Sequence, residues 1–252
     1  MALGAPGWAR FPAERATLDW AAAARPAAEA ALRDPAFADM HQCEGTWFVG
    51  LDALPNDAAG RVAGGPALTG AAVEAARALA GWPSLHRAQV SVTWPGYPRP
   101  RAGEGEGAFR YRQRRDAAHV DGVLGVGTPK RRFVSEPHLW ILGIALTDGA
   151  EDAAPLSVWE GSHALMRETF RAALAPADAP GEVDVTEAYT ACRARCFEAC
   201  RRVNLPLKTG EAVLLHPLLL HGVAPWTAPE GPPRMIAYFR PPAASVEEWL
   251  AI

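Results

Sequence analysis

Ala118-His119-Val120-Asp121-Gly122 sets an imidazole and a carboxylate two residues apart in a chain of 252 residues. In an extended segment, side chains at i and i+2 point to the same face. His119 and Asp121 can then grip one metal ion from a single strand, and one more histidine would complete a set of two histidines and a carboxylate. The triplet decides nothing by itself, because 7 His and 11 Asp in 252 residues give roughly 0.3 such triplets by chance. The segments on either side of it have to supply the rest.

Downstream, Leu139-Trp140-Ile141-Leu142-Gly143-Ile144-Ala145-Leu146 is a continuous apolar run of strand length. Leu156-Ser157-Val158-Trp159 follows, then a helix predicted from Ser162 to about Leu174 with Ser162 as its cap. Gly210-Glu211 lead the strand Ala212–Leu215, and a further segment reaches His221-Gly222. Thirteen residues after His221, Arg234 opens the strand Arg234-Met235-Ile236-Ala237-Tyr238-Phe239. The ordered series of His-x-Asp, a distant His and an Arg on the next strand is far less accidental than any one part. His216, on the apolar strand, reads as a satisfied core histidine or one that supports a ligand from behind, and His163 as part of the turn before a helix. Arg240 lies six residues after Arg234 with the same facing parity and is its rival.

Upstream, helices are expected near Ala16–Ala24 and again after Pro26, a β-like segment at Thr46–Leu51, and a helix from Thr69 to about Ala80 stopped by Gly81 and Pro83. Ala88–Trp94 alternates and is rich in β-branched residues, which predicts a strand. Phe109–Asp116 is expected to be another, with Arg110, Arg112 and Arg114 alternating along it. These arginines and Lys130-Arg131-Arg132 read better as solvated faces paired with Glu104, Glu106 and Glu136 than as an anion-attracting rim. A helix over roughly Thr186–Val203 carries Cys192, Cys196 and Cys200 on one face, a spacing that suits packing better than a metal or cluster site.

With 49% hydrophobic residues the chain can build a substantial core. A net charge of -3 gives no reason to expect nucleic acid as a partner. No run approaches the length of a membrane span, and no signal peptide is evident at the start. Four cysteines outside any disulfide pattern suit a reducing, cytoplasmic compartment. Helices concentrated early and in one insertion, around several short strands, predict an α+β chain with a β-barrel or sandwich core. One domain over residues 1–252 is expected, helical over about 1–85 and β-rich over about 88–240.

In His119-Val120-Asp121, in Trp140 to Asp148, in Pro155-Leu-Ser-Val-Trp-Glu-Gly-Ser-His163 and in His221, the chain resembles the phytanoyl-CoA dioxygenase branch of the Fe(II)- and 2-oxoglutarate-dependent oxygenases. The resemblance covers about residues 115–240. It implies a double-stranded β-helix, a jelly-roll or cupin-like barrel with N-terminal and inserted helices packed against it. It further implies that His119, Asp121 and His221 bind Fe(II) and that Arg234 pairs with the distal carboxylate of 2-oxoglutarate, which a planar guanidinium suits. Dioxygen is then the other co-substrate, ascorbate a reductant, and the products are a hydroxylated small molecule, succinate and CO2. Related halogenases have a small residue where Asp121 stands, so hydroxylation is the better expectation. Trp94, Trp140 and Trp159 are candidates for the walls of an apolar substrate pocket, Trp140 the first to test, although aromatic residues on strands usually belong to the core. Two alternatives carry the same ligands: a cupin-like zinc or manganese protein with hydrolase or isomerase chemistry, and a barrel that senses a metabolite.

Overall fold

The structure is a computed structural model and describes residues 3–175 and 177–252. In chain order its elements are β1 (Trp8–Phe11), α1 (Arg15–Ala31), β2 (His41–Gln42), β3 (Trp47–Phe48), α2 (Ala71–Ala80), β4 (Gln89–Thr93), α3 (Glu106–Arg115), β5 (Val123–Val126), β6 (Arg131–Val134), β7 (Ile141–Ala145), β8 (Leu156–Trp159), α4 (Ser162–Leu174), α5 (Thr186–Ala199), β9 (Arg202–Leu205), β10 (Ala212–Leu215), β11 (His221–Val223), β12 (Arg234–Phe239) and α6 (Val246–Ala251). Helix and sheet are mixed, as expected. One antiparallel sheet has the order β1-β10-β7-β12-β4-β3-β2, a second β11-β8-β9, and β5 with β6 forms a separate hairpin.

Because strand side chains alternate, each central strand feeds two cores. Val90 and Val92 of β4, Leu142 and Ile144 of β7, and Met235, Ala237 and Phe239 of β12 pack against Trp20 and the alanine face of α1 and against α2. The opposite faces of these strands, carrying Ile141, Ala145, Ile236 and Tyr238, meet Leu156 and Val158 of β8 and Leu205 of β9. That inner core joins the two sheets. On the far side of the second sheet, Trp159 packs with Met166 and Phe170 of α4, Tyr189, Cys192 and Cys196 of α5, and Trp249 of α6. The cysteines are free thiols in this packing.

Several elements differ from expectation. Pro26 lies inside α1 instead of starting a second helix. Burial of Ala21, Ala24, Ala28 and Ala31 on one face offsets the one hydrogen bond proline removes. Residues 106–115 form α3, not a strand. Arg110 pairs with Glu106 one turn away and the buried Arg112 pairs with Glu104, so local ion pairs outweigh the apparent alternation. Arg131 pairs with Asp184, and the Arg132 guanidinium lies over the Tyr189 ring at 5.5 Å. Gly161, not Ser162, occupies the cap of α4, and the Ser162 hydroxyl instead accepts from the Leu220 N–H at 2.9 Å. The cysteine helix ends at Ala199, and Arg202–Leu205 becomes β9. His221 opens β11 where it was expected to close a strand. No described helix is long and apolar enough to cross a membrane.

Candidate metal centre

His119 and His221 are brought together by backbone pairing. The His119 N–H donates to the His221 carbonyl at 2.8 Å and the His221 N–H donates back at 3.0 Å. This antiparallel bridge sets the two imidazoles side by side, with ring centroids 4.7 Å apart. Beyond it, β11 continues into register with β8, His221 opposite Val158. Gly122 follows Asp121 at φ 85°, and a Cβ there would collide with the Glu136 carbonyl oxygen. The chain therefore turns away immediately behind the carboxylate only because residue 122 is glycine.

Each imidazole is oriented through its inner nitrogen. His119 Nδ1–H donates to the Ala117 carbonyl at 3.0 Å, and His221 Nδ1–H to the Leu219 carbonyl at 2.9 Å. In the neutral rings Nε2 then carries the lone pair. Both Nε2 atoms face Asp121 Oδ1, at 3.1 Å from His119 and 3.8 Å from His221. One ligand atom from each of the three residues lies within 4.8 Å of the others, and no other trio of His, Cys, Asp or Glu among the described residues does so. Three electron-pair donors converge with no proton donor between them, which is the environment a cation requires.

The electrostatics agree. Burial alone would raise the Asp121 carboxyl, but Arg240, His221 and His119 together hold it well below the usual carboxylate range. Burial pushes His221 down to about 4, so its ring is neutral at ordinary pH. The second carboxylate oxygen, Oδ2, accepts from Arg240 Nη1 at 3.1 Å.

Arg234 is buried on β12 and shares the parity of Ile236 and Tyr238, which face the inner core. Its Nη2 donates to the Tyr238 hydroxyl at 3.4 Å, while its buried Nη1 finds no hydrogen-bond partner among the described residues. Thr93, opposite Arg234 in the β4–β12 register, also has an unpartnered buried hydroxyl. A buried guanidinium and hydroxyl left open side by side suit a carboxylate oxygen.

A sequence profile of the family described as phytanoyl-CoA dioxygenase (PhyH) matches residues 98–233. The chain belongs to the phytanoyl-CoA dioxygenase family. The matched region takes in His119, Asp121 and His221 and ends one residue before Arg234. Among solved structures, AviO1 from Streptomyces viridochromogenes Tue57 is similar with a TM-score of 0.50 and 16% identity, over 97% of this chain and 94% of that one. SnoK, a non-heme alpha ketoglutarate dependent carbocyclase from nogalamycin biosynthesis, is similar with a TM-score of 0.50 and 14% identity, over 95% of this chain and 81% of that one. At these identities the likeness concerns the fold. No curated protein matches the sequence.

In this phytanoyl-CoA dioxygenase family member the triad opens onto a cavity of about 170 Å³ whose walls include Trp47, Gln89, Ser91, Ile141, Leu156 and Tyr238. Among the described lining residues none is Trp94, Trp140 or Trp159. Trp140 precedes Ile141, whose side chain faces the inner core, so alternation turns Trp140 outward. It stacks on Trp82 at 4.9 Å and donates its indole N–H to the Gly81 carbonyl at 3.1 Å. Trp94 is turned to the same helical layer by the same parity, 6.2 Å from the His41 ring. Trp159 meets Phe197 of α5 edge-on at 5.3 Å, on the outer face of the second sheet. The tryptophan that does wall the cavity is Trp47, on a strand of only two residues. Gln89, Ser91 and Tyr238 were also missed, although β4 carries a signal. Gln89, Ser91 and Thr93 alternate with Val90 and Val92, so its polar face looks inward and its apolar face meets the helices. His163 and His216 stand apart as a pair with centroids 4.7 Å from each other.

Proposed function

We propose that this protein is an Fe(II)- and 2-oxoglutarate-dependent oxygenase that hydroxylates an unactivated C–H bond of a small organic molecule, on two sheets arranged as a double-stranded β-helix. The observation that carries the proposal is the convergence of two imidazole Nε2 atoms on one carboxylate oxygen, at 3.1 and 3.8 Å. A buried arginine without an acidic partner, Arg234, lies on β12 outside the residues that line the cavity at this triad. Family membership supports the same reading.

His119, Asp121 and His221 would hold the iron. When bound, Fe(II) with 2-oxoglutarate and dioxygen would supply the oxidising chemistry, releasing succinate and CO2, with ascorbate keeping the metal ferrous. The chain's own contributions follow from the geometry. Three protein ligands on one face leave the remaining positions open to co-substrates. The two Nδ1–H donations to backbone carbonyls lock ring orientation and keep both Nε2 atoms unprotonated. Arg234 would receive the distal carboxylate of 2-oxoglutarate in paired, charge-assisted hydrogen bonds, with the Thr93 hydroxyl beside it. Ile141, Leu156 and Trp47 present apolar surface to the cavity. The carboxylate at Asp121, where related halogenases would have a small residue, favours hydroxylation over halogenation. A hydrolytic zinc or manganese site would leave Arg234 buried without a task.

The cavity of about 170 Å³ is below the roughly 300–1,000 Å³ of drug-sized ligand sites. A small substrate, or the reacting end of a larger one, fits this volume. The reading is tested by incubating Fe(II)-loaded protein with 2-oxoglutarate under oxygen and following succinate. Release that is slow alone, faster with a true substrate and absent in Asp121→Ala is expected. Fully loaded protein that forms no succinate under any condition contradicts it.

A further inference from the structure

We infer that Arg240 is a positioning residue that holds the Asp121 carboxylate to single-oxygen coordination and so keeps a metal position open for 2-oxoglutarate. This rests on the reading of His119, Asp121 and His221 as an iron site. The two carboxylate oxygens have different partners: Oδ1 faces both imidazoles, and Oδ2 faces Arg240 Nη1 at 3.1 Å. Arg240 is itself tied down, its Nη2 donating to Gln89 Oε1 at 2.6 Å. Gln89 is fixed in turn, because its amide nitrogen donates to the Val49 carbonyl at 2.7 Å. That contact orients the amide with its oxygen toward Arg240. A relay therefore runs from the Val49 backbone through Gln89 and Arg240 to the outer oxygen of Asp121.

The relay has two consequences. With Oδ2 engaged, the carboxylate cannot rotate to bring both oxygens onto one metal ion, an arrangement that would take a position 2-oxoglutarate needs. The Asp121 side chain is only 8% exposed and that of Arg240 21%, so water competes weakly for either group. Arg240 thus commits one hydrogen of Nη1 to Asp121 and one of Nη2 to Gln89, while the buried Nη1 of Arg234 has no partner among the described residues.

A purely structural role and this positioning role differ in what they do to metal and co-substrate binding. Removing Arg240 takes a cation away from the metal and frees a second oxygen to bind it, so metal affinity should hold or tighten while 2-oxoglutarate affinity falls. The experiment loads wild type, Arg240→Gln, Arg240→Lys and Gln89→Ala with Co(II) without oxygen. It measures Co(II) affinity by calorimetry, the visible Co(II) spectrum, and 2-oxoglutarate affinity of each loaded protein. Arg240→Gln should bind Co(II) at least as tightly as wild type, show an altered spectrum, and bind 2-oxoglutarate about tenfold more weakly. Gln89→Ala should shift the same way by less, leaving the Arg240 charge in place and keeping the test decisive if Arg240→Gln folds poorly. Arg240→Lys, which keeps one donor to Oδ2, should recover 2-oxoglutarate affinity toward wild type. The inference is overturned if Gln89→Ala and a folded Arg240→Gln bind 2-oxoglutarate as wild type does, or if metal and co-substrate binding fall together. Wild type that takes up no Co(II) overturns the metal reading itself, and this inference with it.

Discussion

A guanidinium held in a core without a carboxylate costs free energy unless an anion arrives to meet it. Arg234 is 2% exposed and no described acid pairs with it. Arg234→Met should therefore raise the melting temperature of the metal-free protein by a few degrees while lowering 2-oxoglutarate affinity by about 2–5 kcal/mol, read by thermal melts and anaerobic titration. Retained affinity would remove Arg234 from the site. At this scale the sequence was informative about residue types and poor at partners. Arg234 and Arg240 share facing parity on one extended segment, so alternation could not separate them. What separates them is Asp121, 119 residues away from Arg240 in the chain.

Among the elements, strand parity decides which side chains face the cavity at His119, Asp121 and His221. β7 turns Ile141 inward and the preceding Trp140 onto Trp82, so Trp140→Ala should cost about 3–5 kcal/mol of stability and leave 2-oxoglutarate affinity of the surviving folded protein unchanged. Denaturant unfolding and calorimetry check both halves, and a lost co-substrate affinity in folded protein would return Trp140 to the cavity. Gly122→Val forces a β-branched residue into φ 85° against the Glu136 carbonyl. It should weaken metal binding more than tenfold by displacing Asp121 (about 1–3 kcal/mol of backbone strain), measured by metal titration. The bounds of α4 were legible as Ser162–Leu174 because its apolar residues recur with helical spacing. α3 was not legible. Its sequence, Glu-Gly-Ala-Phe-Arg-Tyr-Arg-Gln-Arg-Arg, has almost no apolar period, and its one buried residue, Arg112, is held by an ion pair to Glu104. β1 pairs with β10 some 200 residues later, a contact no local pattern announces.

For the whole molecule, buried neutral histidines set the response to acid. Burial pushes His163 to about 4 and His216 to about 3, both below the ordinary value of 6.5. The unfolded chain then binds protons first as pH falls, so stability is full above pH 6.5 and drains as pH drops toward 4. Each histidine contributes a slope of about 1.4 kcal/mol per pH unit in that window. Asp121 acts lower down: its depressed carboxyl stabilises the fold above the ordinary carboxylate range, and that contribution disappears only in stronger acid. Urea unfolding at pH 7 and pH 4.5 should show the loss, and His163→Gln with His216→Gln should reduce it without abolishing it, because burial also lowers His221 and His138 to about 4. An unchanged midpoint across that range would mean that these rings are protonated in the fold. The mixed α and β class and the order of the site residues could be read from the chain. The seven-stranded order of the larger sheet could not, since it depends on pairings between distant segments. The central claim, that His119, Asp121 and His221 hold iron for 2-oxoglutarate, is tested most directly by adding 2-oxoglutarate to Fe(II)-loaded protein without oxygen and recording the visible spectrum. A charge-transfer band that saturates at one equivalent and is missing in Asp121→Ala is the predicted result; fully iron-loaded wild type that shows no band would contradict it.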